Sequence, residues 1–195
     1  MANMWRLKSN NIERVAVEDS GANAGFVSTL VKTDAALWIP GNSFLAFGTG
    51  VWTAQRNAAN DLSLQKDTGD ETDTLTSPSL RPVLRTTASK GFQITSIDVV
   101  YSIATAALDA HTAVLSDVTY ANITAVAVTS HGGSLSGTLA TATDADPYVT
   151  TLTPGTPAFD NGSLVDLRLE ISVDAAATSV YDLYGIFVRY SFNWN

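Results

Sequence analysis

The sequence predicts an all-β protein: an antiparallel β-sandwich, jelly-roll-like, preceded by an irregular N-terminal arm or small β subdomain. Three observations carry that expectation. Apolar and polar residues alternate with period two over long stretches of the second half, the pattern of a strand with one buried face. Clusters of Gly, Pro, Asn and Asp separate those stretches at short intervals. No helical periodicity of useful length appears from residue 92 onward.

The elements follow in chain order. Phe26–Val31, Ala36–Ile39 and Ser43–Phe47 are short apolar segments, separated by Thr33-Asp34, Pro40-Gly41 and Gly48-Thr49-Gly50. Thr53–Ser79 is polar, and its centre, Lys66–Asp73, reads as a solvated loop. Arg81–Thr86 is a candidate edge strand, a position where Pro82 is tolerated. A boundary is expected at Thr86–Gly91. It divides residues 1–91, an arm with short strands and a polar loop, from residues 92–195, the sandwich.

The third long segment from the C-terminus begins at Phe92. Phe92 and Ile94 share one parity, and Ile97, Val99, Tyr101 and Ile103 share the other. A one-residue slip would turn the buried face outward, so a β-bulge is expected at Thr95-Ser96. Shorter strands are expected at His111–Tyr120, Ile123–Thr129, Leu135–Ala142 and Tyr148–Thr153. Their separators, His131–Gly133, Asp144–Pro147, Pro154–Pro157 and Asp160–Gly162, carry turn chemistry. In Leu164–Asp174, Val165, Leu167, Leu169, Ile171 and Val173 alternate with polar residues. In Tyr184–Trp194, Tyr184, Ile186, Val188, Tyr190, Phe192 and Trp194 share one side. Asp174–Ser179 between them has the size of a hairpin connection. Two strand–turn–strand units, Val99–Leu115 and Leu167–Leu183, are loosely alike.

Length and composition bound the function. A chain of 195 residues fits one domain, or one domain with an extended arm. No cysteine is present, which excludes disulfides, thiol catalysis and a sulfur-ligated zinc site. The N-terminus shows no apolar signal-peptide core, and no apolar run is long enough for a spanning helix. Residues 92–195 hold ten acidic and two basic side chains, Arg168 and Arg189, whereas residues 1–91 hold nine of each sign. The net charge of −8 and a pI near 4.5 argue against nucleic acid as a partner, which needs clustered Lys and Arg. Membrane is not an expected partner either.

No constellation stands out as catalytic. Asp109 is close enough in sequence to orient His111, but a triad also needs an activated serine. The nearest match to a nucleophile elbow, Gly133–Gly137, has Leu135 at its centre. His111 reads as a strand-rim histidine and His131 as a turn residue. Asp67, Asp70, Glu71 and Asp73, and separately Asp144 and Asp146, could offer oxygens to calcium, but neither set has the EF-hand spacing. No phosphate-binding glycine loop occurs. The reading is therefore no enzyme, no cofactor and no metal. Partner contacts are expected instead from Trp5, Arg6, Arg14, Trp38, Trp52 and Arg56, because aromatics and arginine are enriched at interface cores.

This combination resembles a family. A polar, partly extended N-terminal region precedes an acidic β-sandwich rich in Ala, Thr, Val and Ser, which ends in the long strand Tyr184–Trp194. It is similar to the jelly-roll cement or decoration proteins of tailed bacteriophage capsids. The resemblance implies a virion structural protein on the capsid surface, made in the host cytoplasm. It would stand as a homotrimer, less often a dimer, bridging neighbouring copies of the major capsid protein. A tail or fibre knob, a carbohydrate-binding module and a β-sandwich hydrolase using His111 are the alternatives.

Overall fold

The computed structural model describes residues 4–9, 12–18, 25–27, 34–56, 62–67, 69–81, 89–122, 125–131, 133–136, 147–155, 158–160 and 164–194. Among these residues the regular structure is all β apart from one 3-10 turn, Gly41–Ser43. Strands β1 (Met4–Ser9), β2 (Ile12–Glu18) and β3 (Gly25–Val27) form a small antiparallel sheet of their own. The rest forms a sandwich of two antiparallel sheets, jelly-roll-like as expected. The first sheet has the order β11 (Ala125–His131), β10 (Leu108–Asn122), β15 (Leu164–Ala175), β8 (Glu71–Thr76), β5 (Leu45–Phe47). The second has the order β12 (Gly133–Ser136), β13 (Tyr148–Pro154), β9 (Ser89–Ala104), β16 (Val180–Trp194), β7 (Leu62–Lys66), β6 (Trp52–Arg56). In addition, β4 (Asp34–Pro40) pairs with β16 and β14 (Ala158–Asp160) with β9.

The long strands form where the alternation said they would, and their inward residues make the core. Ile97, Val99, Tyr101, Ile103, Leu167, Leu169, Ile171, Val173, Ile186 and Val188 are all fully buried. The slip at Thr95-Ser96 is a bulge. Ser96 pairs with Arg189 and Ile94 with Tyr190, so Thr95 is the extra residue. Phe92 and Ile94 on one side, and Ile97 and Val99 on the other, thereby reach the same core with no exposure.

A second bulge is not visible in the sequence. Leu183 pairs with Tyr101 and Gly185 with Val100, which leaves Tyr184 unpaired. Tyr184 therefore does not share the buried side of Ile186 and Val188. The inward residues of β16 are Tyr181 and Leu183 before the bulge, and Ile186, Val188 and Tyr190 after it. The neighbour of β16 changes at the same place: β7 pairs with Tyr181–Leu183 and β4 with Gly185–Ser191. The 3-10 turn lies in this gap, where a Cβ on Gly41 would fall 1.8 Å from the Leu183 carbonyl oxygen.

Three expectations need correcting. Asp174–Ser179 does not close a hairpin. β15 and β16 lie in different sheets, so the connection crosses the sandwich. The link Thr105–Ala107 between β9 and β10 crosses in the opposite sense, and the Ser179 hydroxyl donates to the Ala107 carbonyl at 2.8 Å, tying the two crossings together. The loose likeness of the two units is thus a shared arch. Second, the polar stretch Thr53–Ser79 supplies part of β6, all of β7 and all of β8; of the solvated loop expected at Lys66–Asp73, Lys66 closes β7 and Glu71–Asp73 open β8, and among the described residues between the strands only Asp67 and Asp70 are exposed. Third, residues 92–195 do not form the sandwich alone, because β4 to β8 are integral to both sheets. Between the turns expected at Pro154–Pro157 and Asp160–Gly162 lies β14, which takes in Asp160 and whose Phe159 packs on Phe92 at 5.3 Å between ring centroids. Most of the edge strand expected at Arg81–Thr86 lies outside the described residues, as do Asp144 and Asp146.

Candidate functional site

Two groups of buried polar side chains stand out among the described residues of the sandwich. The first joins β6, β7 and β8. Lys66 is fully buried; its ammonium donates to the carbonyls of Asp67 and Gly69 at 3.1 and 2.9 Å and pairs with Glu71 at 3.0 Å. Asp73 is 1% exposed and accepts from the Gly50 N–H and the Trp52 indole N–H, both at 3.0 Å. Two of the carboxylates proposed for calcium are thus held by partners within the protein. Among the described residues, no cluster of three or more acidic or histidine side chains could hold a metal ion.

The second group lies between the sheets. Tyr101 and Tyr181 stack at 5.6 Å, Tyr101 bonds Thr150 at 2.9 Å, and the Tyr181 hydroxyl meets His111 Nε2 at 3.1 Å. His111 is a core residue, not a strand-rim one. Burial lowers its pKa from 6.5 to about 4, and its Nδ1 is buried without a hydrogen-bond partner. Asp109 is exposed at a bulge, where Leu108 pairs with Ala175 and Ala110 with Asp174. At neutral pH His111 is therefore an uncharged imidazole packed against Tyr101 and Tyr181, and Asp109 is exposed. Burial likewise raises the Tyr181 and Tyr190 phenols above their ordinary value. His131 closes β11, bonds Asp117 and packs edge-on against Phe159.

The six residues proposed for partner contact lie on four strands. Trp5 and Arg6 lie on β1 and Arg14 on β2, in the small sheet. Trp52 is half-buried, with its indole committed to Asp73 and its edge against Tyr181. Arg56 is exposed at the end of β6. Trp38 on β4 is 40% exposed and packs on Phe187 at 4.9 Å between ring centroids.

Trp38 belongs to a cross-strand row that the sequence did not single out. Thr151 on β13 pairs with Asp98 on β9, Asp98 with Phe187 on β16, and Phe187 with Trp38 on β4. Asp98 and Phe187 lie at positions opposite in parity to the core residues Ile97, Val99, Ile186 and Val188, so the row faces outward. Phe187 is 40% exposed. Asp98 accepts from the Thr151 hydroxyl at 2.8 Å and pairs with Arg189. The signal that could have found this row is an aromatic residue among the polar-parity positions of the last strand, Gly185, Phe187, Arg189 and Ser191.

No family model and no curated protein matches this chain. Among solved structures, a xylan-binding domain from CBM 22 is similar to 75% of this chain over 86% of its own length, at 12% identity and a TM-score of 0.30.

Proposed function

We propose that this chain is a non-enzymatic structural protein that docks onto a larger protein assembly. The observation that carries the reading is the character of its sheet edges. β5 and β6 are the last strands of their sheets, and both come, with β4, from one stretch that has no charged residue between Asp34 and Arg56. Leu45 is 64% exposed on β5, Phe47 57%, and Val51 just before β6 74%. Edge strands are ordinarily blunted by lysine or inward charge, because their unpaired backbone groups invite another strand. The β5 edge carries apolar side chains instead, and β6 has no charge before its last residue, Arg56, which suits strand addition or edge packing by a partner. On a chain of net charge −8, an uncharged strip is also where another acidic surface approaches with least repulsion.

With the sequence's resemblance to phage decoration proteins, this supports a virion location. The major capsid protein is then the partner, and a homotrimer, less often a dimer, is the docking unit. The test is co-sedimentation of the full chain with capsid shells of its phage, paired with its solution mass by light scattering. Binding by an oligomer is expected, and Leu45→Asp with Phe47→Asp should abolish it while the circular dichroism of the free protein is unchanged. Undiminished binding by that folded double variant rules out the edge as the docking surface.

A further inference from the structure

We infer that the outer face of the second sheet is a binding site for a neutral carbohydrate chain, centred on Trp38. This site is separate from the edge proposed for assembly.

A sugar ring presents an apolar face of C–H groups and a rim of hydroxyls. A site for it needs a flat aromatic surface and, beside it, polar groups that both donate and accept. The row Thr151, Asp98, Phe187, Trp38 supplies these in sequence across four adjacent strands, a span of roughly 14 Å at the usual strand spacing. The indole is the flat element. A Cβ on Gly185 would come within 2.7 and 2.9 Å of its ring carbons, so the ring lies over the one outward position of β16 that has no side chain. Gly185 has φ +153°, a conformation that other residues rarely adopt, so the bare position is built into the bulge. Phe187 supports the indole from the side, and its exposure of 40% leaves room for a ligand.

The polar half is preorganised. Each oxygen of Asp98 accepts one bond, from Thr151 or from Arg189, and each keeps a lone pair for a hydroxyl. The Arg189 side chain is 49% exposed and offers further donors beside the aromatic pair. Next to Arg189 the face drops into a trough of about 450 Å³ lined by Ala35, Ala36, Thr95, Arg189 and Tyr190, within the ~300–1,000 Å³ range of ligand pockets. The alanines leave room, and the bulge at Thr95 shapes the floor.

Charge selects the ligand class. Asp98 and Arg189 cancel, so the row itself carries no net charge on a strongly acidic chain. A basic partner would find more attraction elsewhere on the molecule, and an acidic one is repelled by the whole. An uncharged polymer that is apolar on its ring faces and rich in hydroxyls at its rim matches the row.

The experiment is affinity gel electrophoresis of the full chain in gels holding neutral polysaccharides of hexoses and of pentoses, a polyuronate, or a cationic polysaccharide. Retardation by at least one neutral polymer is expected, with less by the charged ones. Trp38→Ala and Asp98→Ala should each weaken it by about tenfold or more, and Leu45→Asp should leave it unchanged. If a variant fails to fold, the four indole N–H signals of the native protein give the same answer: adding the retarding sugar must shift the Trp38 signal and spare that of Trp52. No retardation by any neutral polymer overturns the proposal, as does preference for a charged one. Binding that survives in folded Trp38→Ala, or that leaves the Trp38 indole signal unmoved, also overturns it.

Discussion

The strands from residues 89–194 and those from residues 45–76 lie in the same sandwich but are anchored differently. β9, β15 and β16 present inward rows made mainly of Ile, Leu, Val and Tyr, β10 adds Leu108, Ala113 and Leu115 beside His111, and hydrophobic burial carries them. β5, β6, β7 and β8 are shorter and bring few large apolar side chains. They are fastened by buried polar groups bonded to backbone: Lys66 to two carbonyls, Asp73 to the Gly50 N–H, and Ser77 to the Leu169 N–H at 2.9 Å. The chain continues this way past β8, where the Leu80 N–H donates to Leu167 at 2.6 Å and the Tyr190 hydroxyl to the Leu80 carbonyl at 2.8 Å. A polar stretch can therefore enter a core when its polar atoms satisfy groups that would otherwise be stranded there.

The comparison breaks most severely through chain length. Deleting Thr95 removes the extra residue that keeps Phe92 and Ile94 inside, so one side of the bulge must turn to solvent. Loss of folded protein is expected, read as loss of the cooperative urea transition. A cooperative transition at the native midpoint would show that the two halves of β9 are not locked in register.

Lys66→Met addresses the polar fastening. It leaves the Asp67 and Gly69 carbonyls and the Glu71 carboxylate without their cation, at an expected cost of about 3 kcal/mol. Ile97→Val in the apolar region should cost about 1 kcal/mol. Urea midpoints at neutral pH compare them, and a smaller loss for Lys66→Met would reduce the polar cluster to decoration.

His111 gives a pH signature of the interior. Its folded pKa of about 4 lies below the unfolded value of 6.5, so between those values the unfolded chain binds the extra proton. This residue is neutral to stability above pH 6.5. Its contribution turns unfavourable as pH falls toward 4, reaching about 3 kcal/mol at about 1.4 kcal/mol per unit. In His111→Phe the difference in unfolding free energy between pH 7 and pH 4 should shrink by that amount. An unchanged difference would place the acid sensitivity in the carboxylates instead.

The same contrast explains what the sequence revealed. The Thr95 bulge was legible because large apolar residues stand on both sides of the slip and only one register buries all of them. The bulge at Tyr184 was not, since tyrosine fits either face and Gly185 marks neither. Lys66–Asp73 read as solvated because charged residues seldom lie fully buried, and several of the partners here are backbone atoms, which a sequence does not display. Asp174–Ser179 has a hairpin's length, but whether a short link folds back or crosses over depends on pairing with β9 and β10, strands that lie more than fifty residues away. The outward row was hidden for a related reason. Thr151, Asp98, Phe187 and Trp38 come from four strands whose order no local pattern fixes.

The smallest expected effect separates the bulge from its hydroxyl. Thr95 is exposed, and its side chain donates to the Arg189 carbonyl at 3.2 Å. Thr95→Ala removes that bond and keeps the extra residue, so the register of β9 against β16 is retained. A change within about 0.5 kcal/mol is expected, since water can replace an exposed donor. Set against the deletion, this substitution tests whether the residue count or the side chain holds the two phases of β9 on one core. A loss for Thr95→Ala approaching that of Lys66→Met would move the anchor from backbone register to the threonine hydroxyl, and would make this apolar strand depend on a polar contact as β7 does.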